Sequence, residues 1–168
     1  MSFDVQGDGD FSISPRPPCG GRAVLYRRFK MKAIFFHADR FGFAVESPSE
    51  RLDGVSLEEV RSASLEVQEC LVALFHVEEA DGEKQILRLC KDIKRIAEKV
   101  GVTRLVVAAF GHLSHSYAPP DVALHISQRV VDICRGWKCE VHTSPFGHNK
   151  TFILHTKGHA DAVKHRSY

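Results

Sequence analysis

Two short segments combine residue types that can act on a carbonyl. The first is Phe110-Gly111-His112-Leu113-Ser114-His115. Gly111 lets a ligand come close to the backbone, and backbone N–H groups there could hold an ester carbonyl or an oxyanion. His112 could orient a water or a substrate hydroxyl. A histidine satisfied within an ordinary loop fits the same residues. The second segment is Pro145-Phe146-Gly147-His148-Asn149-Lys150. It joins a rigid proline, an aromatic wall and a permissive glycine to three polar side chains. Lys150 could stabilise developing negative charge or hold a phosphate or carbonyl oxygen. An ordinary surface turn with an exposed lysine is the competing reading.

Other candidates carry less. His112 and His115 have H-x-x-H spacing, but zinc needs a third ligand and usually a nearby acid. The sequence implies neither, so no metal or other cofactor is expected. Gly158-His159 either completes a pocket or ends a strand. Cys134 reads as helix packing rather than as a nucleophile. The chain has no P-loop, no G-x-G-x-x-G and no G-x-S-x-G, which leaves nucleotide hydrolysis and serine-hydrolase chemistry without support.

The elements that must position these segments read as α/β from Met31 onward. Residues 32–37 form an apolar run suited to a buried strand. Residues 40–46 alternate, with Phe41, Phe43 and Val45 on one face, and predict a second strand after a short turn at Ala38-Asp39. Ser56-Leu-Glu-Glu59 has capping-box spacing and predicts a short helix, before a strand at 69–77. Ile86, Cys90, Ile93, Ala97 and Val100 recur at steps of four and three, which predicts a helix over 83–100 stopped by Gly101. Residues 104–110 are apolar on both faces, as in a central strand. The first site segment follows it, where open α/β sheets place ligands. A second helix is predicted over 119–135, with prolines only in its first turn and Val122, Ile126, Val130 and Ile133 as its buried stripe. Strands are predicted at 138–142 and 151–156 around a loop at 144–150.

Composition sets the outer limits. With 168 residues, roughly two thirds of the unfolded surface can be buried, enough for one domain with or without a tail. The net charge of +2, from 23 basic and 21 acidic residues, excludes coating nucleic acid by bulk charge but permits a local basic patch. The five cysteines are odd in number and form no C-x-x-C, which points to a reducing cytoplasm. No apolar run approaches the roughly 18 residues of a membrane span, and no secretory signal is expected. Residues 1–30 hold Gly7, Gly9, Gly20, Gly21, Pro15, Pro17 and Pro18 without any period. They read as a flexible extension, with Met31 the expected start of a domain over 31–168. Arg27-Arg28-Phe29-Lys30 could touch RNA, although a solvated tail is the simpler reading.

Four stretches taken together resemble, in order and approximate spacing, the N-terminal editing domain of archaeal-type threonyl-tRNA synthetases. They are Met31-Lys-Ala-Ile-Phe-Phe-His-Ala-Asp39, Phe110-Gly-His-Leu-Ser114, Pro145-Phe-Gly-His-Asn-Lys150 and Lys157-Gly-His159. The resemblance runs from Met31 to about His165. It implies a D-aminoacyl-tRNA deacylase-like α/β fold, with a mixed sheet and two main helices. It also implies hydrolysis of the ester of L-seryl-tRNA(Thr), assisted by the 2′-hydroxyl of the terminal adenosine. By motif position it implies Lys150 and His112 as catalytic, and Ala109, Phe110, Gly111, Phe146, Gly147 and Asn149 as substrate-binding. Family members often carry tyrosines where His148 and Asn149 stand and a glutamate where Val163 stands. Those departures favour backbone, lysine and substrate hydroxyl over an acid–base pair.

The implied partners are the 3′ end of tRNA(Thr) carrying serine and a synthetase catalytic domain, in cis or in trans. A homodimer is expected by analogy with the related deacylases, and no membrane is involved. No synthetase core fits in this length, and an end at Tyr168, soon after the last motif, suggests a fragment; a freestanding editing chain is the other expectation. A D-aminoacyl-tRNA deacylase and a non-catalytic RNA-binding module remain as alternatives.

Overall fold

A computed structural model describes residues 31–52, 60 and 62–168. The expected N-terminal extension, the basic run before Met31 and the capping box at Ser56-Glu59 lie outside the described residues.

The described residues form a six-stranded mixed sheet with two α-helices. Its strands are β1 (Lys32–Pro48), β2 (Ser64–His76), β3 (Arg104–Ala109), β4 (Glu140–His142), β5 (His148–Thr156) and β6 (Val163–Ser167). The order is β4-β3-β2-β1-β5, and β6 also pairs with β1. β2, β3 and β4 run parallel, whereas β1 is antiparallel to β2, β5 and β6. Parallel strands need long crossovers. These are α1 (Glu83–Val100), between β2 and β3, and α2 (Pro120–Arg135), between β3 and β4.

Both helices form where their patterns predict, but the buried stripe of α2 is Ile126, Val130, Val131 and Cys134, while the expected Val122 and Ile133 are only partly buried. α1 buries Ile86, Leu89, Cys90, Ile93, Ile96 and Ala97, and it ends at Gly101, whose φ of 76° is left-handed. α2 begins on a proline, whose missing N–H costs nothing in a first turn. Both helices cover one sheet face, where Phe35, Phe75, Leu105 and Val107 are buried with Leu89, Ile93 and Val130. The opposite face gathers Phe41, Phe43, Val67, Val72, Leu74, Val106 and Ala108. β3 is apolar on both faces because both are covered.

The expected turn at Ala38-Asp39 is absent: residues 32–48 are one continuous 17-residue strand. The sequence misleads because the apolar phase changes there. Ala33 and Phe35 point to the helices, whereas Phe41 and Phe43 point to the other face. A side chain that alternates with period two can change parity only through an irregularity. Against β5, Ala38 pairs with Thr156 but Arg40 with His155, so Asp39 is the extra residue of a bulge. On β2 the same switch occurs at Glu69, whose φ of 48° is rare for a residue with a side chain.

Two further expectations are corrected, and one strand had no expectation. β2 begins earlier than residue 69, because its first residues pair with Phe43 and Ala44 of β1. β5 begins at His148, so His148, Asn149 and Lys150 belong to a strand and not to a loop. β6 went unpredicted because its sequence, Val-Lys-His-Arg-Ser, has little apolar content; pairing to β1 makes it a strand.

The motif Lys157-Gly-His159 locks the switch. Lys157 Nζ donates to Asp39 Oδ1 at 2.5 Å and to Glu69 Oε1 at 3.0 Å. His37 Nδ1 lies 2.7 Å from His159 Nε2. The Asp161 N–H donates to His159 Nδ1, so the His159 proton sits on Nε2 and is donated to His37. Burial, followed by the neighbouring His159 and Lys157, pushes the His37 pKa down. The unfolded chain therefore takes up that proton first, and stability from neutral His37 is complete above about pH 6.5 and lost as pH falls. Urea denaturation at pH 7.5 and 5.5 should show lower stability at 5.5, and His37→Gln should flatten that difference.

Candidate active site

The ends of β2 and β3, the start of α2 and the segments beside them enclose a cleft of about 940 Å³. All residues assigned to the site by resemblance line it: Ala109, Phe110, Gly111, His112, Phe146, Gly147, Asn149 and Lys150. Two segments more than thirty residues apart thus meet across α2.

The first segment is stitched to the end of β2. The Phe110 N–H donates to the Phe75 carbonyl at 2.7 Å, and the Ala118 N–H to the Val77 carbonyl at 3.2 Å. Between them Gly111–Leu113 makes a single 3₁₀ turn, whose first N–H groups find no partner within the turn. A side-chain network holds the middle. Ser114 Oγ donates to Glu78 Oε1 at 2.6 Å, and Lys32 Nζ reaches Ser114 Oγ at 2.6 Å and Glu78 at 3.1 Å. Burial alone would raise the Glu78 carboxyl; the Ser114 and Lys32 bonds outweigh it and bring the pKa down. His112 is exposed, with its ring edge-on to Phe110 at 5.1 Å. Gly111 has ordinary backbone, and a Cβ there would meet Tyr117 at 3.5 Å, an ordinary contact. The fold itself therefore does not require a glycine at this position.

The second segment is a turn closed by its own lysine. Gly147 adopts a left-handed φ of 78°, and its carbonyl accepts from the Ser49 N–H at 2.8 Å. Lys150 Nζ donates to the carbonyls of Pro145 at 2.6 Å and His148 at 2.8 Å. Its charge thus lines the cleft while organising the loop. His148 Nδ1 faces the Phe146 carbonyl at 2.9 Å, and exposed Asn149 donates to Ser47 Oγ at 3.2 Å.

Several residues lining the cleft carried no site signal in the sequence. Phe41 and Phe43 enter from β1, Ser49, Glu50 and Leu52 from the turn after it, and His76 and Tyr117 from the floor and wall. Only His76 left a trace, as a polar residue in the apolar run Leu-Phe-His-Val. Val163 stands on β6 opposite Phe36, half-exposed, and it is not among the lining residues. Gly158 and His159 are also outside the cleft, so of their two readings the strand-ending one holds. Among the described residues no group of three or more His, Cys, Asp or Glu is placed to hold a metal, His112 and His115 included. Nor is any described helix long and apolar enough to cross a membrane.

Comparison with known proteins places this geometry. The model of the archaea-specific editing domain of threonyl-tRNA synthetase matches residues 31–167. The chain belongs to this editing-domain family. The threonine–tRNA ligase of Methanopyrus kandleri is 33% identical over 132 residues, covering 77% of this chain and 20% of that protein. The threonine–tRNA ligase editing subunit of Saccharolobus solfataricus is 30% identical, covering 77% of this chain and 32% of the subunit. The chain thus spans about a fifth to a third of the relatives it matches. The solved structure of c-Myc DNA Unwinding Element Binding Protein aligns with a TM-score of 0.59 at 12% identity, covering 80% of this chain and 97% of that one. That likeness concerns the fold, which is the D-aminoacyl-tRNA deacylase-like α/β fold of the editing domain.

The network at Ser114 joins residues 111–116 to the sheet, and a part-buried hydrogen bond is worth about 1 kcal/mol or somewhat more. Ser114→Ala should speed amide hydrogen exchange at residues 111–116 by roughly fivefold or more, with exchange in α1 unchanged.

Proposed function

We propose that this editing domain hydrolyses the ester of L-seryl-tRNA(Thr). The observation that carries the reading is the meeting of Gly111, His112, Phe146 and Lys150 in one cleft of a chain in this family.

The chemical need is clear from the substrates. Serine keeps the hydroxyl of threonine and lacks one methyl. A missing methylene gives only about 1–3 kcal/mol of discrimination, so a synthetic site built for threonine also admits serine. A second site can exclude by size what the first cannot reject. In this proposal Phe146 and the backbone at Gly111 leave no room for the threonine methyl. Ala109, Phe110, Gly147 and Asn149 shape the rest of the aminoacyl pocket.

In the reaction, a water oxygen adds to the ester carbonyl and the carbonyl oxygen becomes negative. N–H groups of the Gly111 turn and the Lys150 charge stabilise that oxygen. The tetrahedral intermediate then collapses: the bond to the ribose oxygen breaks, that oxygen takes one of the two protons of the attacking water, the other passes to solvent, and serine leaves with the new carboxylate. The 2′-hydroxyl of the terminal adenosine and His112 orient the water. The partners are the 3′ end of tRNA(Thr) and a synthetase catalytic domain. A homodimer belongs to the same reading, and sedimentation would detect it.

Seryl- and threonyl-tRNA(Thr) incubated side by side test the function. Selective loss of serine is expected, and equal hydrolysis of both would rule out editing as described. Lys150→Ala should lower the deacylation rate by about 10²–10³-fold. Full activity in that variant would remove the lysine from the mechanism.

A further inference from the structure

The floor of the cleft holds a histidine that the proposed reaction does not use. His76 ends β2, is 2% exposed and lines the cleft. Its Nε2 lies 2.5 Å from the carbonyl oxygen of Ser116. A carbonyl oxygen can only accept, so Nε2 carries the proton and donates it. The other nitrogen, Nδ1, is then a bare acceptor. Nδ1 is shielded from solvent and has no hydrogen-bond partner among the described residues.

Buried acceptors are normally satisfied, and one left unmet beside a cleft calls for a donor from a ligand. The surroundings fit that use. The tautomer is set by a fixed backbone oxygen, so the acceptor is preorganised and loses no rotamer freedom on binding. Tyr117 lies edge-on to the ring at 5.0 Å and is 49% exposed. Both residues line the cleft, so the ring stands beside a half-exposed side chain there.

We propose that His76 Nδ1 accepts a hydrogen bond from a donor on the aminoacyl end of the substrate. The donor is an ammonium or hydroxyl, supplied by the amino acid or by the terminal ribose. His76 is therefore a substrate-binding residue and not only a tether for residues 114–117. The inference rests on the deacylase reading above for the identity of the substrate.

The test uses the uniformly ¹⁵N-labelled chain, so that histidine ring nitrogens and backbone amides are both read, titrated with adenosine and with seryl-3′-amino-3′-deoxyadenosine, whose amide resists hydrolysis. A shift of the His76 Nδ1 resonance with both ligands supports a ribose donor. A shift with the seryl compound alone supports a donor on the amino acid. If the Gly111 amide responds and His76 does not, the proposal is overturned and the deacylase reading stands. If neither responds and seryl-tRNA is not hydrolysed, both fall. Kinetics supply the second arm. His76→Gln keeps an N–H for the Ser116 carbonyl but lacks an acceptor at the δ position. It should raise KM for seryl-tRNA about tenfold with kcat little changed. An unchanged KM would reduce His76 to a tether. Should that variant fail to fold, the resonance of the unaltered chain decides.

Discussion

A long strand can serve two different cores only if its side-chain alternation is reset along the way. In this protein the reset lies at Asp39 on β1 and Glu69 on β2, and Lys157 bridges both carboxylates. Everything on the cleft side depends on it. Without the change of parity, Phe41 and Phe43 would point to the helices, and the cleft would lose that wall. The device concentrates strain and charge in one place: a bulge, a non-glycine residue at positive φ, two acids and one lysine. Each is unfavourable or neutral alone. Together they make a stable corner, because the lysine offsets the repulsion of the acids and the bulge brings them within its reach.

The cleft follows from a second constraint, the attachment of the segment after β3 to the end of β2. Backbone bonds at Phe110 and Ala118 fix its two ends. Lys32, Glu78 and Ser114 fix its centre, and His76 holds Ser116. The opposite wall is organised from within, by Lys150 on two carbonyls of its own turn. The lysine proposed to act on the substrate therefore also holds its own turn, and replacing it disturbs that turn as well. The 3₁₀ turn, by contrast, is braced from outside, which leaves its backbone N–H groups directed by the scaffold.

Much of the fold was legible. The helix over 83–100 follows from its apolar steps and its terminal glycine, both local. The strand at 104–109 follows from continuous apolar residues. The corner at Ala38-Asp39 was misread because a phase change in a strand and a turn between strands leave the same trace in a local pattern. Only pairing to a neighbour tells them apart. β6 was missed for a related reason, since an edge strand with one covered face needs few apolar residues. In the site, the two motif segments were legible as residue types, while His76, Tyr117 and the turn at Ser49–Leu52 were not. Their contribution comes from distant chain segments brought together.

By itself the sequence determined the two helices, the central strand, the residue chemistry of both segments and, through four motifs in order, the family. These are properties of local periodicity and of residue identity at fixed spacing. Tertiary structure alone decided that Phe110–Ser114 and Pro145–Lys150 share one cleft, that Lys157-Gly-His159 clamps a corner instead of joining the site, and that a buried histidine lies on the cleft floor. The reason is physical. Which residues meet across a sheet is set by strand register and bulges, and these emerge only when every strand has found its partner.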